Sequence, residues 1–499
     1  MRTWLAILAA LLLIPTAAQA GPSVYTRTPE DPAAIIVKGV GDGRADDSGA
    51  IQAAIDAAAR GGQGGIVWLP SGRYRISRTI LVRPAIRIFG VGRTRPVILL
   101  GDNTPGFGSG IASMVAFIGN DQYNVARYNQ GRAAVPPPSI VPFDPKIFDA
   151  SSNTFYSALA NVDFEIGAGN AGATAVRMRT AQHSFLRHVD FRIGSGLAGI
   201  YHAGNQFEDL HFYGGRYGIL AEKTSPAWQF TLLDSTFDGQ REAAIREHEM
   251  RLTLANVVIR NTPVGIEIDR GHNDSLWGKD VRFENVSRAA VVISNEENVF
   301  TQIGFDNALA SNVPVFARFR ESGRTVAGAG PRYRMKRFHY GLMVPALGKT
   351  GDYATIAEAE PLRRWPTRSE PVIRPLPGSD QWVNVRSLGV KGDDATDDTA
   401  ALQRAIDNHR ILYLPSGRYR VTDTLKLRPD TILISLHPGL THVYLPDETP
   451  AFAGIGAAKG MIESARGGNA IVHGLGLWTG GINPRASAGS NRWSDISNR

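Results

Sequence analysis

The sequence predicts an all-β chain, a right-handed parallel β-helix in two tandem modules. Three observations carry that expectation. The stretch Leu69-Pro70-Ser71-Gly72-Arg73-Tyr74-Arg75 returns letter for letter as Leu414-Pro415-Ser416-Gly417-Arg418-Tyr419-Arg420. Short apolar triplets recur at a nearly constant interval between 162 and 305. A second series of short strands interleaves with the first, without helices between. A long-range repeat decides the architecture before any local motif is weighed.

Each repeated stretch is the end of a longer start. Gly41-Asp42-Gly43-Arg44-Ala45-Asp46-Asp47-Ser48 leads into Ala50, Ile51, Ala54, Ile55 and Ala58, apolar positions at helical spacing. Gly392-Asp393-Asp394-Ala395-Thr396-Asp397-Asp398-Thr399 does the same for the second copy. The acidic pairs Asp46-Asp47 and Asp397-Asp398 sit where each helix begins, and capping of orphan N–H groups explains them better than acid–base chemistry. The Gly-rich run 61–65 stops the first helix, and Ile66-Val67-Trp68-Leu69 follows as a strand.

The triplets end at Phe164, Phe191, Phe212, Phe237, Ile259, Phe283 and Phe305, with gaps of 27, 21, 25, 22, 24 and 22. Ala175-Val176, Gly199-Ile200, Gly218-Ile219, Ala244-Ile245, Gly265-Ile266 and Ala290-Val291 form the interleaved series. Asn161, Asn256, Asn285 and Asn307 fall near the turns. Short strands at a fixed period indicate a stacked coil whose open end the starting helix caps. A propeller needs roughly 40-residue repeats with hairpins, which do not appear.

Residues 1–20 read as a secretory signal, with Arg2, an apolar run from Trp4 to Ile14 and Ala18-Gln19-Ala20 before the cleavage point. The expected domains are a first coil over 21–310, a Pro- and Arg-rich surface linker over 311–380, and a short or truncated second coil over 381–499. No other stretch suggests a membrane span, so a soluble, secreted or periplasmic monomer is expected. The absence of Cys excludes disulfides and a thiolate nucleophile. The net charge of +8 comes from scattered Arg with no nucleic-acid motif, which points to a solvated basic surface and no nucleic-acid partner.

The GDG-x-x-DD-[ST]-x-A-[IL]-Q start followed by LPSG-x-Y resembles the pectate-lyase-like domain of carbohydrate-active β-helix proteins. Its doubling, with Gly172–Val176, Leu186–Phe191 and Gly214–Ile219, is similar to the exo-β-1,3-glucanases of glycoside hydrolase family 55. That resemblance implies two coils side by side with a pocket between them, and an inverting hydrolase of a β-1,3-glucan-like polysaccharide that needs no metal or other cofactor. It implies Gln182 as the residue positioning water and Asn205 as its polar assistant. The family's acid is a Glu a few residues beyond the rung that here ends at Trp478; residues 486–491 hold none.

From the residues themselves, Glu222 is the cleft carboxylate, and Glu463 a weaker one; stacked surface carboxylates are the plainer reading of the Glu residues nearby. His202, Tyr217, Trp228 and Trp478 are the substrate-binding candidates with Asn205, since an apolar ring face suits a sugar's C–H face. Two other functions stay open. One is a polysaccharide lyase of the pectate or alginate type, which would need an Arg or Lys base. The other is a non-catalytic glycan-binding coil.

Overall fold

The computed structural model describes residues 22–119, 139–150, 154–221 and 230–486. The expected signal at 1–20 and the tail after 486 lie outside the described residues, as do Glu222 and Trp228. Between Ala34 and Pro361, 27 strands join in one continuous sheet that bends into three parallel stacks. Each inward position repeats directly above the last. In the first stack Val67, Ile88, Leu159, Leu186, Phe207, Leu232 and Leu254 are in register. In the second the column runs Tyr74, Ile98, Phe164, Phe191, Phe212, Phe237, Ile259, Phe283 and Ala310. In the third it runs Val115, Val176, Ile200, Ile219, Ile245, Ile266 and Val291.

All of the second-stack rings are buried. Phe164, Phe191, Phe212 and Phe237 lie nearly parallel, with centroids 5.5, 4.8 and 4.5 Å apart. That is the strand spacing of a sheet, so the ring column follows from backbone pairing and needs no other cause. Phe305 departs from the expectation. It pairs with Gly278 in the first stack, while Ala310 takes the place above Phe283. The triplet pattern picks out an inward aromatic but does not say in which stack it falls.

The first and second stacks meet at a single residue with left-handed backbone. Asn161, His188, Asp209, Asp234, Asn256, Asp280 and Asn307 take this place in successive turns. Asn and Asp are among the residues that tolerate this conformation best, which explains the Asn recurrence in the sequence. Between the second and third stacks Asn261, Asn285 and Asn312 form a ladder, with amide-to-carbonyl bonds of 3.0 and 2.9 Å.

The expected linker over 311–380 is corrected. Val315–Phe319 continues the third stack, and Arg332–Met343 and Asp352–Pro361 return antiparallel across the end of the coil. These strands bury Tyr333, Met335, Phe338 and Tyr340, closing the core and covering the sheet edge. Reversing direction abolishes the rung period, which is why they read as loop. Residues 362–378 form an irregular strap along the coil. The Asp234 carboxylate accepts the N–H groups of Val372 and Ile373, and Arg282 donates to Pro366 O.

The two expected helices, α1 (Ser48–Ala58) and α2 (Thr399–Asn408), form among the described residues, but the acidic pairs work differently. Asp47 and Asp398 are buried at the N-cap position and cap nothing. Asp47 accepts the N–H groups of Val40 and Gly41, at 2.7 and 3.0 Å, closing the Gly-rich loop. It is the preceding Asp46 that accepts the helix's first N–H, from Ser48 at 3.0 Å. Burial wins here, because two backbone donors of the incoming loop have no other partner.

After the strap, three small sheets of four, four and two strands stack over 383–479 in the same parallel manner. The outer face of the sheet containing Ile411–Tyr413 and Ile432–Ile434 packs on the outer face of the large coil's first stack. Ile411, Tyr413, Ile432 and Ile434 are buried there with Trp68, Phe89, Ala160 and Phe185. Tyr25 wedges in at 5.2 Å from Phe89 and 5.8 Å from Trp382.

Candidate functional site

Where the third stack passes to the first, the chain places a polar turn. Residues 178–184 join the strand Ala173–Arg177 to Phe185–Gly194. Asn205, at φ 70°, donates its amide to Thr180 O and Ala181 O at 2.8 and 2.6 Å. Its side chain therefore holds the turn rather than offering itself to a ligand. Gln182 O accepts the Tyr156 N–H at 3.3 Å. The side-chain Oε1 of Gln182 is buried without a hydrogen-bond partner among the described residues, and so is Thr180 Oγ1. A buried unpaired acceptor is costly, and that cost is relieved when a water or a ligand hydroxyl donates to it.

Arg87 clamps this turn to the small sheets. It is 1% exposed. It donates to Tyr156 O at 2.9 Å, His183 O at 2.8 Å and Leu436 O at 2.9 Å. Burial, with Arg187 nearby, lowers its pKa to about 9. Tyr156 stacks on His183 at 4.8 Å and lies 6.1 Å from His437. Burial pulls the His437 pKa down to about 3, so the ring is neutral, donating from Nε2 to Ala85 O and accepting the Gly439 N–H at Nδ1. On the other side of the turn Arg177 and Arg179 share the Asp149 carboxylate, and the Nε of each is buried without a partner among the described residues.

The remaining candidates are dispersed. His202 is 5% exposed and packs against Tyr201 at 4.0 Å. Tyr217 is a correction. Its ring is 1% exposed, and its hydroxyl sits between Glu242 and Arg246, at 2.5 and 2.9 Å, so it presents no face to a sugar. Trp478 is 55% exposed but belongs to the sheet next to the one facing the large coil, with Arg418 over its ring. Glu463 is exposed on the two-stranded sheet. Among the described candidates, Gln182 and Asn205 alone are brought together.

One cluster was missed. His188 and Asp209 are successive left-handed turn residues, and His211 follows two places later. His188 Nδ1 and His211 Nε2 lie 2.7 and 3.0 Å from the two Asp209 oxygens. Burial pushes the Asp209 carboxyl up, but the two imidazole hydrogen bonds outweigh it and hold it well below the usual carboxylate range. Arg95, itself bonded to Asp163 and Asp190, backs the group at 3.7 Å. A cavity of about 450 Å³ opens here beneath the strap. The spacing from His188 to Asp209, 21 residues, equals the gap between Phe191 and Phe212, so the rung period held the signal.

A family model described as rhamnogalacturonase A/epimerase, pectate lyase-like, matches residues 39–267 and 382–435. Among curated relatives, the non-secreted LysM effector LysM19 of Penicillium expansum is 25% identical over 431 residues, 78% of this chain and 32% of that protein. A probable glucan endo-1,3-beta-glucosidase of Arthroderma benhamiae is 23% identical over 52% of this chain and 29% of its own length. Alginate lyase 7 of Azotobacter vinelandii is 46% identical over 69 residues, 12% of this chain and 8% of that protein. The chain thus spans under a third of the length of each of these relatives. With the doubled start, the stacked turns and a family match covering more than half of its length, the chain belongs to the pectate-lyase-like rhamnogalacturonase A/epimerase family.

Proposed function

We propose that the protein acts on a polysaccharide of the β-1,3-glucan type by inverting hydrolysis, at the Gln182 turn. The observation that carries this is the buried, unpaired Gln182 Oε1 on a turn that Asn205 and Arg87 hold rigidly against the small sheets. An amide oxygen there orients one water by accepting its hydrogen, but it takes no proton, because an amide does not titrate. Inversion also needs a carboxylic acid roughly 6.5–9.5 Å from the group that activates water. We assign that role to Glu222, which directly follows the strand Tyr217–Ala221. Trp228 is the proposed sugar contact. The similarity to a glucan endo-1,3-beta-glucosidase supports the substrate class, and an exported monomer without residues 1–20 fits it.

A lyase or epimerase acting on an acidic glycan is the second reading. The unpaired Nε groups of Arg177 and Arg179 beside the turn favour it, since they suit a sugar carboxylate. Incubation with laminarin, alginate and polygalacturonate separates the two. New reducing ends from laminarin support the first, and unsaturated ends absorbing in the near ultraviolet support the second. Gln182→Ala is expected to slow laminarin hydrolysis about 100-fold. Hydrolysis at the wild-type rate in that variant sinks the site.

A further inference from the structure

The outward face of the first stack changes character along the coil. It is apolar at Trp68, Phe89 and Phe185, where the small sheets cover it. Beyond Phe185 its column continues through Gln206, Thr231 and Thr253 and reaches Trp277, which pairs with Gly304, which in turn pairs with His339. Trp277 stands four turns from Phe185, about 19 Å at roughly 4.8 Å per strand spacing.

At Trp277 a cleft of about 550 Å³ opens, with Ser275, Gln302, His339 and Tyr340 in its walls. The indole is 38% exposed. Its Nε1 donates to Asp306 Oδ2 at 3.1 Å, which fixes the ring in the wall. Gly304 forms the floor between the two rings. A Cβ there would lie 3.2 Å from Trp277 Cδ1 and 3.3 Å from His339 Nδ1. The backbone at Gly304 is not left-handed, so glycine is not needed for its conformation; its effect is to keep the gap open. Phe300, 60% exposed, stands beside the cleft and accepts the Ser275 hydroxyl at its carbonyl, 3.3 Å away.

The charges at the rim are already engaged. Arg337 pairs with Glu358, and Asp306 holds Trp277 with His339 at 3.7 Å. What remains for a ligand is an aromatic face flanked by two neutral acceptor oxygens, those of the Gln302 amide and the Ser275 hydroxyl, whose donors go to Val299 O and Phe300 O at 3.3 Å each. That combination suits an uncharged sugar, its C–H face on the ring and its hydroxyls on Gln302 and Ser275. We propose that this cleft is a glycan-binding subsite for an uncharged hexose chain, separate from the Gln182 turn. It rests on the polysaccharide reading above for its ligand class alone.

The test is calorimetric titration of the full chain with laminarihexaose, cellohexaose and hexamannuronate, in wild type, Trp277→Ala and Gly304→Leu. At least one uncharged hexasaccharide is expected to bind, about tenfold more weakly in each variant. Binding without any turnover of glycan removes the hydrolase reading and leaves this subsite standing. Turnover with unchanged binding in a folded Trp277→Ala protein overturns the subsite and spares the hydrolase reading. Preference for hexamannuronate, or no binding of any of the three, also overturns it. Should Gly304→Leu fail to fold, the surface substitution Trp277→Ala decides the matter alone.

Discussion

The two copies of the repeated start invite a direct comparison. Asp47 closes the loop at Val40 and Gly41; Asp398 does so at Lys391 and Gly392. Asp46 bonds Ser48 and Ser77, as Asp397 bonds Thr399 and Thr422. Gln52 reaches Asp56 and Leu81 O, as Gln403 reaches Asp407 and Lys426 O. Tyr74 donates to Pro70 O and Tyr419 to Pro415 O. The difference lies one rung later, on the outward face. Arg87 stands in register above Ile66, whereas Ile432 stands above Ile411. The repeated residues build a cap that any such coil can use. The unrepeated Arg87 joins one coil to the other strands and fixes the Gln182 turn.

The largest expected effect is at that difference. Arg87→Leu, which makes the first copy resemble the second, removes the guanidinium donor from three carbonyls, that of Leu436 in a buried bond, and should cost about 3 kcal/mol or more. Chemical denaturation measures it, and faster amide exchange at Tyr156 and Gly439 should accompany it. A stability equal to wild type would show that Arg87 is not the clamp.

A smaller effect tests the likeness. Asp47→Asn and Asp398→Asn each remove one carboxylate oxygen from a pair of backbone donors, at a cost of roughly 1–2 kcal/mol. Hydrogen exchange at Gly41 and Gly392 should accelerate to the same degree in the respective variants. Unequal acceleration breaks the equivalence of the two starts.

The smallest concerns a feature of the large coil with no counterpart found in the small sheets. Glu247 and Asp274 are buried together, and Asp274 accepts the N–H of Arg251 at 2.5 Å. Burial raises both carboxyls, Asp274 to about 6. A raised carboxyl binds its proton more tightly in the folded state, so its contribution is complete below the usual carboxylate range near 4 and is lost as pH rises through about 6. The thermal midpoint should fall between pH 5 and pH 7, and Asp274→Asn should flatten that fall. An unchanged slope in the variant would place the dependence elsewhere.

What was legible in the sequence is what repeats along it. The doubled start, both helices and the Phe column from Phe164 to Phe237 follow from local period, because each strand pairs with the one a single turn earlier. Gln182 and Asn205 were singled out by resemblance, and they share one turn. Period is silent about everything that crosses between turns at long range. The antiparallel strands over 332–361 break the rhythm and so resembled loop. Tyr217 read as an open ring, yet Glu242 and Arg246, each more than twenty residues away, close over its hydroxyl. Asp47 looked like a helix cap because the loop donors it serves are fixed only once the chain folds back. Arg87 is one arginine among many until Leu436, 349 residues away, accepts its hydrogen bond. Local spacing determined the coil by itself; which faces meet, and what is buried unpaired between them, was decided by tertiary packing, since the energy of a buried polar group depends on partners that sequence distance does not record.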